Sequence, residues 1–483
     1  MRPIFPALLV LLAPTLARAA PVTPPVASPP LGRDAPTLYA EWCASCHGEH
    51  LDGGKGPRLT DAARWHAFDD ATLARVIRDG SRTGEMPAFG GALNAAEIEA
   101  LVVFLRESAA RRREAVPQDN QPLPTGPLRS EEHAFTVEWV AEGFDVPWSM
   151  AFLPDGRMLV TERGGRLRIV ENGMLRPETI GGLPPVVVKD EAGLLSVAVD
   201  PDYARNGWIY LAYCDPGARP ETAMTKIVRA RLRDGELVDR EAIFSIPRDQ
   251  YPKGYALFGC RLVFDGDYLF FGIGVRGSEA AVTRDAQDLA KTTGKIHRVF
   301  RDGRVPPDNP FVHAPGAAGS IWALGVRNPQ GLARNPRDGA LWESEHGPRG
   351  GDELNRIERG QNYGWPFVTR GINYDGTPIS DKTDAPGLVS PAVNWTPSIA
   401  PSELEFYTGD RFPRWKGNLF MGTLATQKLL RFVIDGGRVV HTEEIFHHLG
   451  RVRDIKTGPD GYLYVALELI GRPGRIVRLK PAE

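Results

Sequence analysis

The chain has 483 residues, and its 58 lysine and arginine side chains against 60 aspartate and glutamate side chains give a formal charge of -2. That length is sufficient for two or three domains with full cores, and the near-neutral charge argues against a nucleic-acid partner or an anionic membrane surface. The 52 glycines and 42 prolines favour a chain dominated by strands and turns.

The amino-terminal residues predict an export signal. A positively charged start precedes an apolar run over residues 4–12, and the sequence ARA at 17–19 offers a small-residue cleavage site. The run is too short and too interrupted by proline to span a membrane, and no other stretch approaches membrane length. We therefore expect a signal peptide over residues 1–19, a proline-rich tether over 20–32 and a periplasmic location.

The sequence CASCH at residues 43–47 has the spacing for covalent attachment of a c-type haem. The thiols of Cys43 and Cys46 would form thioethers to the porphyrin, and the imidazole of His47 would become an axial ligand of the iron. A CxxC pair alone would equally suit a redox dithiol or half of a zinc site. Downstream, Met86 in the sequence GEMP supplies a thioether for the sixth position, and residues 95–105 carry apolar side chains at helical spacing, which favours haem.

That order of features, over residues 33–112, resembles the class I cytochromes c. The resemblance implies an all-α cytochrome c domain in which the two cysteines attach haem c and in which His47 and Met86 ligate its iron. It also implies that the carbonyl of Pro57 orients the His47 ring.

Two further cysteines, Cys214 and Cys260, remain after the haem pair. In an exported protein such a pair favours a disulfide, but two buried free thiols satisfy the sequence equally well.

A polar, proline-bearing stretch predicts an interdomain linker over residues 113–132. From residue 133 onward, short apolar runs recur between Asp-Gly or Pro-Asp turns, which is typical of strands joined by hairpins. Six copies of this pattern begin at Phe152, Val199, Val263, Asn335, Phe412 and Thr457. Six hairpin units predict an all-β six-bladed propeller over residues 133–483, whereas an ordinary sandwich or barrel would not need the repeat.

Three polar clusters lie where propeller strands are expected to end at the central channel: residues 325–331, residues 345–353 with 362–366, and residues 450–454. Arginine binds planar carboxylates through two parallel hydrogen bonds, and carbonyls beside glycines with acids nearby suit a hard cation such as calcium. Each cluster alone is better explained by turn chemistry or a surface ion pair. Together they would hold a flat, multiply anionic cofactor and its metal.

With the stretch EHGPRGGDELN and the later NYGWP, nearly all of residues 135–480 resembles the soluble aldose-sugar and sorbosone dehydrogenases that use pyrroloquinoline quinone (PQQ). The resemblance implies a six-bladed propeller that holds PQQ and Ca²⁺ at the channel mouth. By position, it implies that Arg327 and Asn328 contact the quinone, with Arg327 also a candidate catalytic residue, and that Arg451 and Arg453 bind the quinone carboxylates. It implies that the carbonyls of Gly347 and Pro348 hold the cofactor calcium and that Glu353 and Tyr363 match a second calcium site. It also implies that Trp395 forms a wall of the substrate pocket.

Several positions depart from the pattern of that family. Leu257 stands in place of the catalytic histidine, Ala256 in place of a neighbour that can be aspartate, Val326 in place of a histidine, Ala425 in place of a quinone-binding lysine and Glu191 in place of an active-site glutamine. Leucine cannot accept a proton from a substrate hydroxyl, and loss of a general base costs orders of magnitude in rate. Either Glu191 is a relocated base acting on a different alcohol or aldehyde, or the pocket has lost sugar oxidation.

These features together predict an exported quinohaemoprotein dehydrogenase. A sugar, alcohol or aldehyde would be oxidised through PQQ. The electrons would pass singly to the fused haem, because tethering raises the effective concentration of the haem near the quinone. A soluble or membrane-bound cytochrome would receive the electrons next. Two alternatives remain: a haem c electron-transfer protein whose catalytically silent propeller is a binding module, and a calcium-bearing hydrolase or lactonase.

Overall fold

The structure is a computed structural model that describes residues 31–61, 68–113, 121–277 and 284–482. The predicted signal peptide, most of the predicted tether and part of the predicted linker lie outside the described residues. No helix within the described ranges has both the length and the apolar character needed to cross a membrane.

The amino-terminal domain consists of helices, as its sequence predicts. They are α1 (Ala35–Trp42), α2 (Ala44–His47), α3 (Asp70–Asp79) and α4 (Ala95–Arg113). The carboxylate of Asp34 caps α1 by accepting from the amide of Thr37 at 2.9 Å, and Asp69 caps α3 in the same way. Apolar side chains of the three longer helices, including Leu38, Ile77 and Leu101, form one buried core.

The rest of the chain forms six sheets, which confirms the predicted six-bladed propeller. In chain order, the first blade consists of β3 (Pro147–Phe152), β4 (Met158–Glu162), β5 (Arg166–Glu171) and β6 (Met174–Leu175). The second blade consists of β7 (Leu194–Val199), β8 (Trp208–Pro216), β9 (Ala223–Arg233) and β10 (Glu236–Phe244). The third blade consists of β11 (Leu262–Asp265), β12 (Tyr268–Ile273), β13 (Lys295–Phe300) and β14 (Ile321–Leu324). A single helical turn, α5 (Tyr203–Asn206), joins β7 to β8.

The fourth blade consists of β15 (Pro329–Arg334), β16 (Leu341–Glu345), β17 (Asp352–Ile357) and β18 (Val393–Trp395). The fifth blade consists of β19 (Pro401–Phe406), β20 (Leu419–Thr423), β21 (Lys428–Asp435) and β22 (Arg438–His447). The sixth blade combines β23 (Arg451–Thr457), β24 (Leu463–Glu468) and β25 (Gly474–Pro481) with β2 (Ala134–Phe144) and β1 (Leu128–Arg129). The two ends of the propeller therefore pair with each other in one sheet, which closes the ring without leaving an open edge between the first and last blades. Strand β1 lies within the range predicted as linker.

The first strands of the blades neighbour one another around a central channel. Arg261, which is 4% exposed, ties this ring together. Its guanidinium donates to the carbonyls of Gln330 at 3.0 Å, Trp148 at 3.1 Å and Arg453 at 2.6 Å, and it pairs with Glu403 at 2.5 Å. One side chain thus connects the inner strands of five blades.

Cys214 and Cys260 are both free, buried thiols in one apolar cluster, so the second of the two predicted alternatives is the one observed. Burial raises the pKa of Cys214 to about 12 and also raises that of Cys260. Thiols held protonated in this way behave as small apolar side chains.

The two domains contact each other. The amide of Ala35 at the start of α1 donates to the carbonyl of Gly376 at 3.0 Å, and Ile372 of the propeller packs into the apolar core of the helical domain. Both propeller residues lie in the long connection between β17 and β18.

Candidate functional site

The CASCH segment forms a tight helical turn at the end of α1. The amide of Cys46 donates to the carbonyl of Cys43 at 3.1 Å, and the amide of His47 donates to the same carbonyl at 2.9 Å. This turn brings the two half-buried thiols and the imidazole into one short segment. Burial raises the pKa of Cys43 to about 11, with a further contribution from Cys46.

The ring of His47 is held in a defined orientation. Its Nδ1 lies 2.9 Å from the carbonyl oxygen of Pro57, which is the hydrogen bond that the sequence predicts. A donor at Nδ1 leaves the lone pair on Nε2, and that is the form of imidazole that binds a metal. Gly56 lies directly against the ring, since a Cβ atom there would be 2.9 Å from His47 Cε1.

Met86 is presented by a closed loop. The amide of Ser81 donates to the carbonyl of Met86, and the amide of Met86 donates to Ser81 Oγ, both at 3.0 Å. The Met86 side chain packs against the core of the helical domain, as does Trp42, whose buried Nε1 has no acceptor among the described residues. Two thiols, an imidazole, a thioether and an unsatisfied buried donor in one small domain fit a covalently bound haem.

On the propeller, Arg327 and Asn328 precede β15 at the channel and are both buried. Arg327 Nη1 donates to the carbonyls of His346 at 2.7 Å and Gly347 at 2.9 Å. The backbone amides of Arg327 and Asn328 both donate to Glu345. The first two predicted polar clusters therefore meet at one place.

The segment that carries Leu257 joins the same group. The amide of Gly259 donates to Asn328 Oδ1 at 3.2 Å, and the amide of Leu257 donates to Glu191 Oε2 at 2.7 Å. The Leu257 side chain packs against Val275 and Trp365 in an apolar cluster, whereas Glu191 is exposed. The structure thus places the Glu191 carboxylate beside Leu257, the residue that the sequence comparison sets against the family's expected base.

Arg451 and Arg453 both point to Glu468. Arg453 Nε lies 2.6 Å and Arg451 Nε 3.2 Å from Glu468 Oε2. Burial pushes the pKa of Glu468 upward, but Arg453, Arg451 and the more distant Arg163 hold it below its usual range. Burial also lowers the pKa of Arg453 to about 10. Glu468 and Arg163 were not predicted, because neither follows from local sequence spacing.

A cavity of about 710 Å³ opens beside Arg451. Its lining includes Phe144, Asp145, Arg451, Glu468 and Arg472. That volume lies within the range of small-molecule sites, and the walls combine two arginines and two carboxylates with apolar side chains.

The residues predicted to bind calcium occupy two places. Gly347 and Pro348 lie in the loop between β16 and β17, where the Gly347 amide donates to Asp352 Oδ1 at 2.8 Å and the Gly347 carbonyl accepts from Arg327. Glu353 and Tyr363 line one small cavity together with Glu345. The Tyr363 hydroxyl donates to the carbonyl of Arg356 at 2.6 Å and accepts from the amide of Glu358 at 2.8 Å.

Glu353 belongs to a buried cluster of three carboxylates. Glu353 lies opposite Glu345 on neighbouring strands, and Asn355 Nδ2 donates to both Glu343 and Glu353. Burial, and then repulsion from Glu345, raises the pKa values of Glu343 and Glu353, and burial raises that of Glu345 to about 7. In the described part of the chain, no three His, Cys, Asp or Glu side chains are arranged to hold a metal ion. Calcium at either place stays a prediction.

The remaining predicted positions are mainly packed. Trp395 lies in β18 with its ring 6.2 Å from that of Phe432, and its carbonyl accepts from Gly351 at 2.9 Å. Val326 is fully buried in an apolar cluster and is therefore a core residue of the propeller. The backbone amide of Ala425 donates to the carbonyl of Ile399.

Comparison with known proteins divides the chain in the same way as the structure. The model of the glucose/sorbosone dehydrogenases matches residues 144–478, and the model of cbb3-type cytochrome c oxidase subunit III matches residues 31–105. Aldose sugar dehydrogenase YliI of Escherichia coli is 40% identical over 354 residues, which is 71% of this chain and 92% of that protein.

For the helical domain, the cbb3-type cytochrome c oxidase subunit FixP of Bradyrhizobium sp. is 38% identical over 71 residues, or 14% of this chain and 24% of that protein. Among solved structures, the PQQ-bound aldose sugar dehydrogenase of Streptomyces coelicolor is 28% identical, with a TM-score of 0.59 over 74% of this chain and 99% of that one. These similarities identify a sugar-dehydrogenase-type propeller fused to a cytochrome c domain.

Proposed function

Because this chain belongs to the glucose/sorbosone dehydrogenase family, we propose that it oxidises a sugar or another alcohol or aldehyde with PQQ and passes the electrons to haem c on its own amino-terminal domain. The observation that carries the proposal is the contact between a haem-type domain and a propeller whose channel gathers Arg327, Arg451 and Arg453. When bound, PQQ supplies two-electron oxidation of the substrate, and the haem supplies a one-electron acceptor.

The arginines would bind and orient the cofactor. Arg451 and Arg453 share one carboxylate, Glu468, so the three side chains together retain net positive charge, and Arg451 lines the large cavity. A flat anion with several carboxylates matches that charge and shape. Arg327 is fixed by the carbonyls of His346 and Gly347, so its guanidinium is already oriented before any ligand binds.

Glu191 is our candidate for the general base. Its carboxylate is held at the Leu257 amide, which places a proton acceptor beside the position of the missing histidine while Leu257 itself fills an apolar cluster. A carboxylate held in this position can take a proton from a substrate hydroxyl. We also propose that the chain is exported to the periplasm, in keeping with its amino-terminal signal pattern and its CASCH segment.

The test is to load the purified protein with PQQ and Ca²⁺ and to record the haem absorption bands while aldoses, alcohols and aldehydes are added. We expect the haem to become reduced only when both PQQ and a substrate are present. Protein without PQQ is the control. If no donor reduces the haem of the loaded protein, the dehydrogenase proposal fails.

A second candidate is a haem protein with a silent propeller. Leu257 favours this candidate, because an apolar residue stands at the position expected for the base. Glu468 also favours it, because this carboxylate forms ion pairs with the arginines that would bind the cofactor. Titration with PQQ separates the two candidates. A rise in the melting temperature supports the dehydrogenase, whereas no shift at saturating PQQ supports the silent propeller.

A further inference from the structure

The loop between β16 and β17, residues 346–351, is bound on one side to the channel. Its His346 and Gly347 carbonyls accept hydrogen bonds from Arg327, and the His346 amide donates to the carbonyl of Asn328 at 3.2 Å. This is the loop in which the carbonyls of Gly347 and Pro348 are predicted to hold the cofactor calcium. We refer to residues 346–351 as the cofactor loop.

On its other side the cofactor loop is bound to the haem domain. Arg349 donates through Nε at 3.1 Å and through Nη2 at 2.7 Å to Glu107 Oε2 in α4. The two side chains are only 17% and 8% exposed, so water screens this ion pair far less than it screens a surface pair. Arg111 also approaches Glu107, but at 3.8 Å and from a largely exposed position.

Backbone pairing reinforces this contact. The amide of Arg349 donates to the carbonyl of Ile372 at 3.2 Å, and the amide of Ile372 donates back to the carbonyl of Arg349 at 2.9 Å. Ile372 is 2% exposed and lies in the apolar core of the haem domain. A Cβ atom on Gly350 would be 3.2 Å from Val103 Cγ1, so α4 lies directly against the cofactor loop.

A short series of contacts continues from α4 to the haem-binding turn. The ring of Phe104, next to Val103, lies 5.5 Å from the ring of Tyr39. The Tyr39 hydroxyl donates to the carbonyl of Gly48 at 2.7 Å, and Gly48 follows His47 in the chain. The cofactor loop and the predicted iron ligand are therefore joined through one helix and one aromatic pair.

We propose that the Arg349–Glu107 ion pair holds the haem domain against the cofactor loop and so sets the rate at which electrons pass from the propeller to the haem. This inference rests on the proposed function. A flexible linker alone would only raise the local concentration of the haem, whereas the ion pair keeps the haem domain in one position against the cofactor loop. The haem would take the two electrons of reduced PQQ one at a time, an external one-electron acceptor such as a cytochrome would reoxidise the haem after each transfer, and the two protons of reduced PQQ would pass to water. Arg349 and Glu107 are positioning residues.

Charge reversal tests the proposal. We expect Glu107→Arg and Arg349→Glu each to slow substrate-driven haem reduction, followed by stopped-flow absorbance, on the order of tenfold, because each variant places like charges at a buried contact. In Glu107→Arg, whose changed side chain lies in the helical domain and outside the cofactor loop, reduction of a small soluble dye that takes electrons directly from the propeller should not change. The double variant, Glu107→Arg with Arg349→Glu, should recover part of the lost rate. Glu41→Gln removes a carboxylate that pairs with Arg33 inside the haem domain and is the matched control.

A second readout does not depend on activity. Small-angle X-ray scattering should give a larger radius of gyration for each single variant, and wild-type values for Glu41→Gln and for the double variant. Wild-type haem reduction rates in both single variants, or an unchanged radius of gyration in both, would overturn the proposal. If wild-type protein reduces neither dye nor haem with any donor, the proposed function has failed, and scattering alone decides whether the ion pair docks the domain.

Discussion

Glu191 shows how much of the proposed chemistry depends on one side chain. Its carboxylate is exposed and accepts from the amide of Leu257 at 2.7 Å, so it is held in place by the backbone of the very residue that cannot act as a base. Leu257 has a φ of +57°, a left-handed conformation that is uncommon for a bulky side chain and directs this amide toward Glu191. The local backbone and the carboxylate therefore form one unit.

We predict that Glu191→Gln lowers kcat by about 100-fold, because the amide can still accept from Leu257 but cannot take a proton from the substrate. The measurement is dye-linked oxidation by the PQQ-loaded protein. Asp190→Asn is the matched control, since Asp190 is the exposed neighbouring carboxylate. An unchanged kcat in Glu191→Gln would remove Glu191 from the mechanism.

Strands β16 and β17 place three carboxylates in one buried cluster. Glu345 and Glu353 are directly paired across these strands, Glu343 lies two residues earlier on β16, and Glu343 Oε1 has no partner among the described residues. Because burial raises the pKa of these carboxyl groups, they keep a proton in the folded state at pH values where the same groups in the unfolded chain have lost it. For Glu345 this window runs from the ordinary value of 4.5 to about 7.

We therefore predict that the cation-free protein becomes less stable as pH rises through that window, because ionising the cluster costs more in the folded state than in the unfolded one. The melting temperature at pH 8 should be lower than at pH 5, and Glu353→Gln should weaken this dependence. Glu358→Gln, at an exposed carboxylate, is the control. If Ca²⁺ binds at Glu353 as predicted, it should raise the melting temperature more at pH 8 than at pH 5. A melting temperature that rises with pH would contradict the prediction.

At the scale of the whole molecule, the architecture could be predicted from the sequence because both of its signals are local. The hairpin turns recur with apolar runs on either side, and the CASCH segment carries both predicted haem-attaching cysteines and one predicted iron ligand within five residues. The predicted hydrogen bond between His47 and the Pro57 carbonyl is present for the same reason, since the two residues lie only a short loop apart.

The pairings that adjust the site could not be predicted because they form between strands and between domains rather than within one sequence motif. Arg451 and Arg453 were assigned to an anionic cofactor, and only folding brings Glu468 from the next strand between them. Arg349 was read as part of a cofactor motif, while its partner Glu107 lies 242 residues away in a helix of the other domain. Such contacts depend on tertiary packing, which no local pattern records.

Closure of the ring is the property on which the whole propeller depends. Strand β25 lies between β24 and β2, so it joins the end of the propeller to its beginning. Leu479 is fully buried there and pairs with Val137 of β2 on one side and Leu463 of β24 on the other. A cavity at this position weakens the packing that holds the first and last strands together.

We predict that Leu479→Ala lowers the free energy of unfolding of the propeller by about 2–5 kcal/mol. Val440→Ala, at a side chain that is 58% exposed on β22, should change it by less than about 0.5 kcal/mol. Urea unfolding followed by tryptophan fluorescence measures both, while haem absorbance reports separately on the helical domain. Because the ring either closes or opens, the loss should appear in one cooperative transition of all six blades. If Leu479→Ala costs no more than Val440→Ala, pairing of the chain ends is not what stabilises the propeller.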